Sequence, residues 1–267
     1  NAKSHMSSLA PSYKHTEKFL DLFYGPSIDG HELSAKSKLS LYIIRIDGGK
    51  FDYDAMYDRL AEAAVTYALS RSQYQKHLDE ETIHKAVRQA KDRFKNFEGN
   101  DGEGGELLLY CFLEAHLGAP KVLSKMDLKT SGEHYVYGAD GVHLLDLGDG
   151  SFHLIFGESK MISDSKQEKG SSLRIAIADA FKSISDIEAG DASREIELVD
   201  SNIMKETYDS ATLDRLKSII LPSGRDSSTK KENAYGIFIG FEIDITDWDV
   251  INMTSKEFED RVQLEVK

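Results

Sequence analysis

Three charged side chains stand out by type and spacing: Asp140 in Gly138-Ala-Asp140-Gly-Val-His143, and Glu158 and Lys160 in Phe156-Gly-Glu158-Ser-Lys160. Between them lies Leu147-Gly-Asp-Gly150, whose glycines suit a tight turn. If the flanking segments pair as a hairpin centred on Asp149, Asp140 faces Glu158 directly, with β-carbons about 5 Å apart. Side chains alternate along a strand, so Glu158 and Lys160 share a face. Two carboxylates opposed across a sheet repel one another, and a divalent cation between them offsets that repulsion. Magnesium takes oxygen ligands and leaves positions for water and a substrate phosphate. The expected ligand set is Asp140, Glu158 and the backbone carbonyl of Ser159 around Mg²⁺, with Mn²⁺ as a substitute. Lys160 would orient the attacking water and favour its deprotonated form, and the reaction would be phosphodiester hydrolysis.

Singly, an Asp at a strand turn or a Glu-x-Lys on a strand is commonplace on a solvated face with a surface ion pair. The shared register is what favours chemistry. Glu106 is a further candidate on the metal side. It opens the run LLLYCFLEAHL, a helix apolar nearly all round that must be buried against the sheet. An acid in a helix's first turn is also favoured by the macrodipole alone. Glu103, Gln167 and Lys169 read as surface neighbours. The glycine-rich stretch 98 to 105 lacks a following Lys-Ser/Thr, so it is no phosphate loop, and there is no His-Glu-x-x-His. The nine histidines are scattered and read as structural, Cys111 reads as a buried inert thiol, and Trp248 reads as packing.

The elements that must position these residues follow from periodicity. Residues 39 to 46 read as a strand ended by Asp47-Gly-Gly49. Asp52 is an N-cap for a helix carrying Met56, Leu60, Ala64 and Tyr67 on one stripe up to about Ser70. A second amphipathic helix is expected from near Asp79, with Ile83, Val87, Ala90, Phe94 and Phe97 inward. Asn100 to Gly105 reads as a loop into the Glu106 helix. Three short strands are expected between Lys121 and Met161, with turns at Thr130-Ser-Gly132 and Leu147 to Gly150. After Gly170 a helix is expected with Leu173, Ile177, Phe181, Ile184 and Ile187 on its stripe. A helical insertion covers about 191 to 222, with Ser210 a cap and Pro222 a stop. A polar, locally basic loop, 223 to 231, leads to a buried strand from Ala234 to Ile243. Thr254-x-x-Glu257 is a capping box that opens a final helix. Helix, three strands, helix and a further strand imply an α/β fold: a mixed sheet flanked by helices, with an N-terminal helical subregion.

Composition sets the outer bounds. The chain has 267 residues, 40% of them hydrophobic, enough for one large domain. We expect a single domain over 7 to 267, divided into an N-terminal subregion (7 to 99) and a core (100 to 267). Residues 1 to 6 read as an expression-tag remnant. No apolar run reaches about 18 residues, so no membrane span is expected. A single cysteine excludes an internal disulfide and a cysteine-built zinc site, and it fits a reducing cytoplasm. Forty-six acidic against 33 basic residues give a net charge of -13. That charge repels a polyanion and predicts help from a partner wherever nucleic acid is held.

The order Glu106, Asp140, Glu158-Ser-Lys160 on helix, strands and helix resembles the restriction-endonuclease-like PD-(D/E)xK core. Within it, GGELLLYCFLEAHLGAPKVL, GADGVHLL and FGESKM resemble the HamA family of the bacterial Hachiman anti-phage system. The likeness covers about residues 100 to 190 by motif. One departure is Ala139 in place of a proline before the first acid. The resemblance implies a Mg²⁺-dependent DNA nuclease partnered by a HamB-like helicase that holds it in check, so that its release aborts infection. Two other readings stand beside this one. The first is a non-catalytic subunit of nuclease-like fold, which the acidic surface favours, and the second is a sequence-specific restriction enzyme. The residues leave open the choice between DNA and RNA, as well as cleavage polarity and metal number.

Overall fold

The computed structural model describes residues 10–34, 36–94, 101–124, 126, 138–162, 171–190, 192–203, 210–221 and 230–266. A short helix, α1 (Thr16–Leu20), leads into a two-stranded antiparallel ribbon of β1 (Phe23–Ser34) and β2 (Ser37–Ile44). β3 (Ile46–Asp47) and β4 (Lys50–Phe51) form a small hairpin, and the helices α2 (Tyr53–Ala68), α3 (Arg71–Asp79) and α4 (Ile83–Arg93) follow. The core runs α5 (Asp101–Ala115), β5 (Lys121–Ser124), β6 (Gly141–Asp146), β7 (Ser151–Ile162), α6 (Ser171–Ala189), α7 (Ser193–Asn202), α8 (Ser210–Ile220) and β8 (Lys230–Phe241). The chain closes with a 3₁₀ turn (Val250–Asn252) and α9 (Ser255–Val266).

The four core strands form one sheet in the order β5-β6-β7-β8, antiparallel except for the parallel pair β7 and β8. This is the expected α/β fold, a mixed sheet flanked by helices, and it is compatible with a restriction-endonuclease-like core. Alternation along β7 sorts the layers. Leu154 and Phe156 pack with Ile184 and Ile187 of α6 and with Leu216, Ile219 and Ile220 of α8. Ile155 points the other way, to Leu109 and Leu113 of α5. The 191 to 222 region is therefore a wall of the main core, since Val199, Ile203 and Leu213 are buried in it too. No helix among the described residues is long and apolar enough to cross a membrane.

Two of the caps read from sequence hold. Asp52 accepts from the Ala55 N–H at 3.1 Å, and Thr254 and Glu257 bond reciprocally at the start of α9. Other expectations need correction. The strand at 39 to 46 exists as β2, but it pairs with β1, an element whose Gly25, Pro26, Asp29 and Gly30 hide strand character. The helix expected from near Asp79 is α4, and a separate helix that the sequence did not announce, α3, precedes it. Ser70 and Gln73 form a capping box that starts α3 early, and Glu81 at φ 55 breaks the path before α4. The inward stripe of α4 is accordingly Ala86 and Ala90, with Ile83 and Val87 exposed. Residues 101 to 105, read as loop, are the first turn of α5. On α6 the buried positions are Ala176, Ala180, Ile184 and Ile187, whereas Ile177 and Phe181 are exposed. Ser210 is the first residue of α8, and β8 is half-buried because it lies at the sheet's edge. Residues 1 to 6, Phe97, Thr130 to Gly132, Gln167, Lys169 and Pro222 lie outside the described residues.

Candidate active site

The hairpin of β6 and β7 has the register expected of it. Gly141 pairs with Gly157, Val142 with Phe156 and His143 with Ile155, around the turn at Leu147 to Gly150. Both turn glycines, Gly148 and Gly150, have positive φ (81° and 87°), and Asp149 accepts from the Ser151 N–H at 2.9 Å. Just before β6, the Asp140 N–H donates to the Gly157 carbonyl at 2.8 Å. Continued by one residue, that register sets Asp140 beside Glu158.

The two acids are buried, Asp140 at 7% and Glu158 at 5% exposure. Lys160 Nζ donates to Glu158 Oε1 at 2.7 Å, across the same face of β7. Oδ2 of Asp140 accepts from both the N–H and the hydroxyl of Ser159, each at 2.9 Å. Burial pushes the Glu158 carboxyl above its ordinary range, and the charge of Asp140 pushes it further. Bonding to Lys160, the Lys160 charge and a hydrogen bond from Ser183 of α6 pull the other way without cancelling the rise. Taking an anion out of water next to another anion is unfavourable, and one ammonium leaves the group net negative. Such a pair of buried carboxylates has the donor chemistry that a hard divalent cation takes.

α5 lies over the opposite face of β7. A β-carbon at Gly105 would stand 2.8 Å from Met161 Cγ and 3.3 Å from Ser159 Oγ, and one at Gly157 would stand 2.8 Å from Leu109 Cδ2. Glycine at both places lets helix and strand approach. Glu106 is buried, as its apolar helix required, and accepts from the Tyr67 hydroxyl of α2 at 3.0 Å. Among the described residues no three or more His, Cys, Asp or Glu side chains gather to hold a metal, so Asp140 and Glu158 stand as a pair. Glu103, read as a surface residue, is buried at 6% on the same helix. Its apolar neighbours gave the signal, since a helix buried nearly all round takes its first-turn acids inside too.

Sequence reasoning missed Ser183 and the Ser159 side chain, because serine spacing carries no periodic signal. It also missed a buried structural network beside the site. Lys121 of β5 is fully buried and donates to the carbonyls of Thr66, Tyr67 and Leu69, closing the C-terminal end of α2. Glu114 accepts from the N–H groups of Tyr13 and Lys121 at 2.7 and 2.9 Å. His143 is buried and bonded through Nδ1 to the Ala119 carbonyl, a structural role. Cys111 is buried and its thiol is pushed up by burial, so it is inert. Trp248 packs on Phe258 and beneath Arg261, as expected of a packing residue.

No curated protein and no solved structure matches the chain. The family described as HamA matches residues 17–267. With nearly its whole length covered, the chain belongs to the HamA family and is thereby associated with Hachiman antiviral defence.

Proposed function

We propose that the chain is a metal-dependent nuclease of the PD-(D/E)xK type that hydrolyses DNA phosphodiesters. The observation that carries this reading is the β6-β7 register, which buries Asp140 and Glu158 side by side with Lys160 at 2.7 Å from Glu158. Asp140 and Glu158, with the Ser159 carbonyl, would hold Mg²⁺ or Mn²⁺. When bound, the cation supplies Lewis-acid stabilisation of the phosphoryl oxygen and lowers the pKa of water. The Lys160 ammonium orients the attacking water at its Nζ hydrogens and offsets charge developing on phosphate. The water oxygen bonds to phosphorus and loses a proton to solvent, the bond from phosphorus to the leaving sugar oxygen breaks, and that oxygen takes up a proton from solvent. Glu106, whose carboxylate accepts from the Tyr67 hydroxyl, would serve the metal side only as a supporting acid.

The net charge of -13 supports the partner half of the reading. A chain this acidic holds DNA poorly by itself, and a helicase subunit of the HamB kind would present the strand and restrain cleavage until infection. The same charge favours a second reading, a non-catalytic subunit that docks onto the helicase. Plasmid nicking in Mg²⁺ by the chain with its helicase separates the two. Cleavage should fall by at least about 100-fold in Glu158→Gln and Lys160→Ala and stop in EDTA. Equal cleavage by wild type and both variants would remove these residues from the mechanism, and no cleavage by any of them would favour the docking reading.

A further inference from the structure

Ser159 sits between the two charged members of Glu158-Ser159-Lys160, and alternation along β7 turns its side chain toward α5. From there its hydroxyl and its own N–H both reach Oδ2 of Asp140, each at 2.9 Å. Two donors on one oxygen fix the plane of a carboxylate, which otherwise turns freely about its last torsion. α5 comes close enough to confine that hydroxyl only because residue 105 is glycine. A β-carbon there would lie 3.3 Å from Ser159 Oγ and 2.8 Å from Met161 Cγ.

We propose that the Ser159 hydroxyl is a positioning group for the metal-binding carboxylate of Asp140, and that Gly105 of α5 keeps it aimed. The inference rests on Asp140 being a metal ligand, as argued above. The hydroxyl acts through the carboxylate, and losing such an outer-shell hydrogen bond typically weakens metal binding by about 10- to 100-fold. It also ties the start of α5 to the site through packing.

Titration calorimetry of the purified full chain with MnCl₂, without DNA, tests this apart from catalysis. Ser159→Ala should bind Mn²⁺ about 10-fold more weakly at an unchanged melting temperature, and Ser159→Thr, which keeps the hydroxyl, should recover most of the loss. Gly105→Ala should weaken binding in the same way and add little when combined with Ser159→Ala, because both act on one hydroxyl. Wild-type affinity in Ser159→Ala, or equal weakness in the Ala and Thr variants, would overturn the inference while loss of binding in Asp140→Asn left the metal site standing. Wild-type Mn²⁺ affinity in both Asp140→Asn and Glu158→Gln would instead remove the metal-site reading itself, and the inference with it.

Discussion

Glu158 is a residue whose placement costs stability. Its carboxyl is raised by burial and by Asp140, so over the interval between its ordinary value and its raised value the folded state binds more protons than the unfolded state. Stability contributed at this position is therefore lost as pH rises through that interval, and at pH 8 the ionised side chain is a burden. Glu158→Gln should melt no lower than wild type at pH 8 without metal, even though the proposed function expects cleavage to fall in it. A large fall in melting temperature would show that the carboxylate is structural. His143 has the opposite sign. Burial lowers its pKa from 6.5 to about 4, so the neutral ring stabilises the fold above pH 6.5 and that contribution drains away as pH falls toward 4. The slope from this one group is at most about 1.4 kcal/mol per pH unit. His143→Asn, which can still donate to the Ala119 carbonyl, should flatten urea unfolding midpoints between pH 6.5 and 4, and an unchanged slope would count against the assignment. At this scale Asp140, Glu158 and Lys160 were legible because a hairpin register and a period of two are arithmetic properties of a sequence. Ser159, Ser183 and Lys121 were not, because hydrogen bonds to oxygens distant in sequence leave no periodic trace.

The elements divide in the same way. The core strands and the burial of α5 follow from apolar runs and glycine turns, and the structure places them as expected. Errors fell where small residues decide. Gly102, Gly104 and Gly105 read as a loop yet lie in helix, and of these Gly105 packs closely on β7, where a β-carbon would stand 2.8 Å from Met161 Cγ. On α6 Ala176, Ala180, Ile184 and Ile187 face the sheet, and Ile177 and Phe181 lie on the exposed side. The same close packing yields a sharp expectation at Gly157. Its substitution by Ala sets a β-carbon 2.8 Å from Leu109 Cδ2 and should destabilise the protein by about 1–3 kcal/mol, read from the urea midpoint at constant m. A change below about 0.5 kcal/mol would mean that α5 sits farther from β7 than described.

Across the whole molecule, the N-terminal helices and the core sheet are tied by buried polar bonds. Lys121 closes α2, Glu114 holds Tyr13, and Tyr67 reaches Glu106. These contacts join residues 39 to 101 positions apart, and sequence pattern carries no record of them. Net charge, by contrast, is legible at once and limits what the chain does unaided. Alone, it should bind duplex DNA no more tightly than the micromolar range at physiological salt, measured by fluorescence anisotropy, and adding a helicase subunit should tighten that binding. Nanomolar binding by the isolated chain would contradict the division of labour. The central claim is that the β6-β7 hairpin builds a cation site from Asp140 and Glu158. It is tested most directly by anomalous diffraction from crystals soaked in MnCl₂. The account requires a Mn²⁺ peak in contact with both carboxylates that disappears in Glu158→Gln. A fully occupied Mn²⁺ elsewhere with none at this pair, or an undiminished peak in the variant, would contradict it.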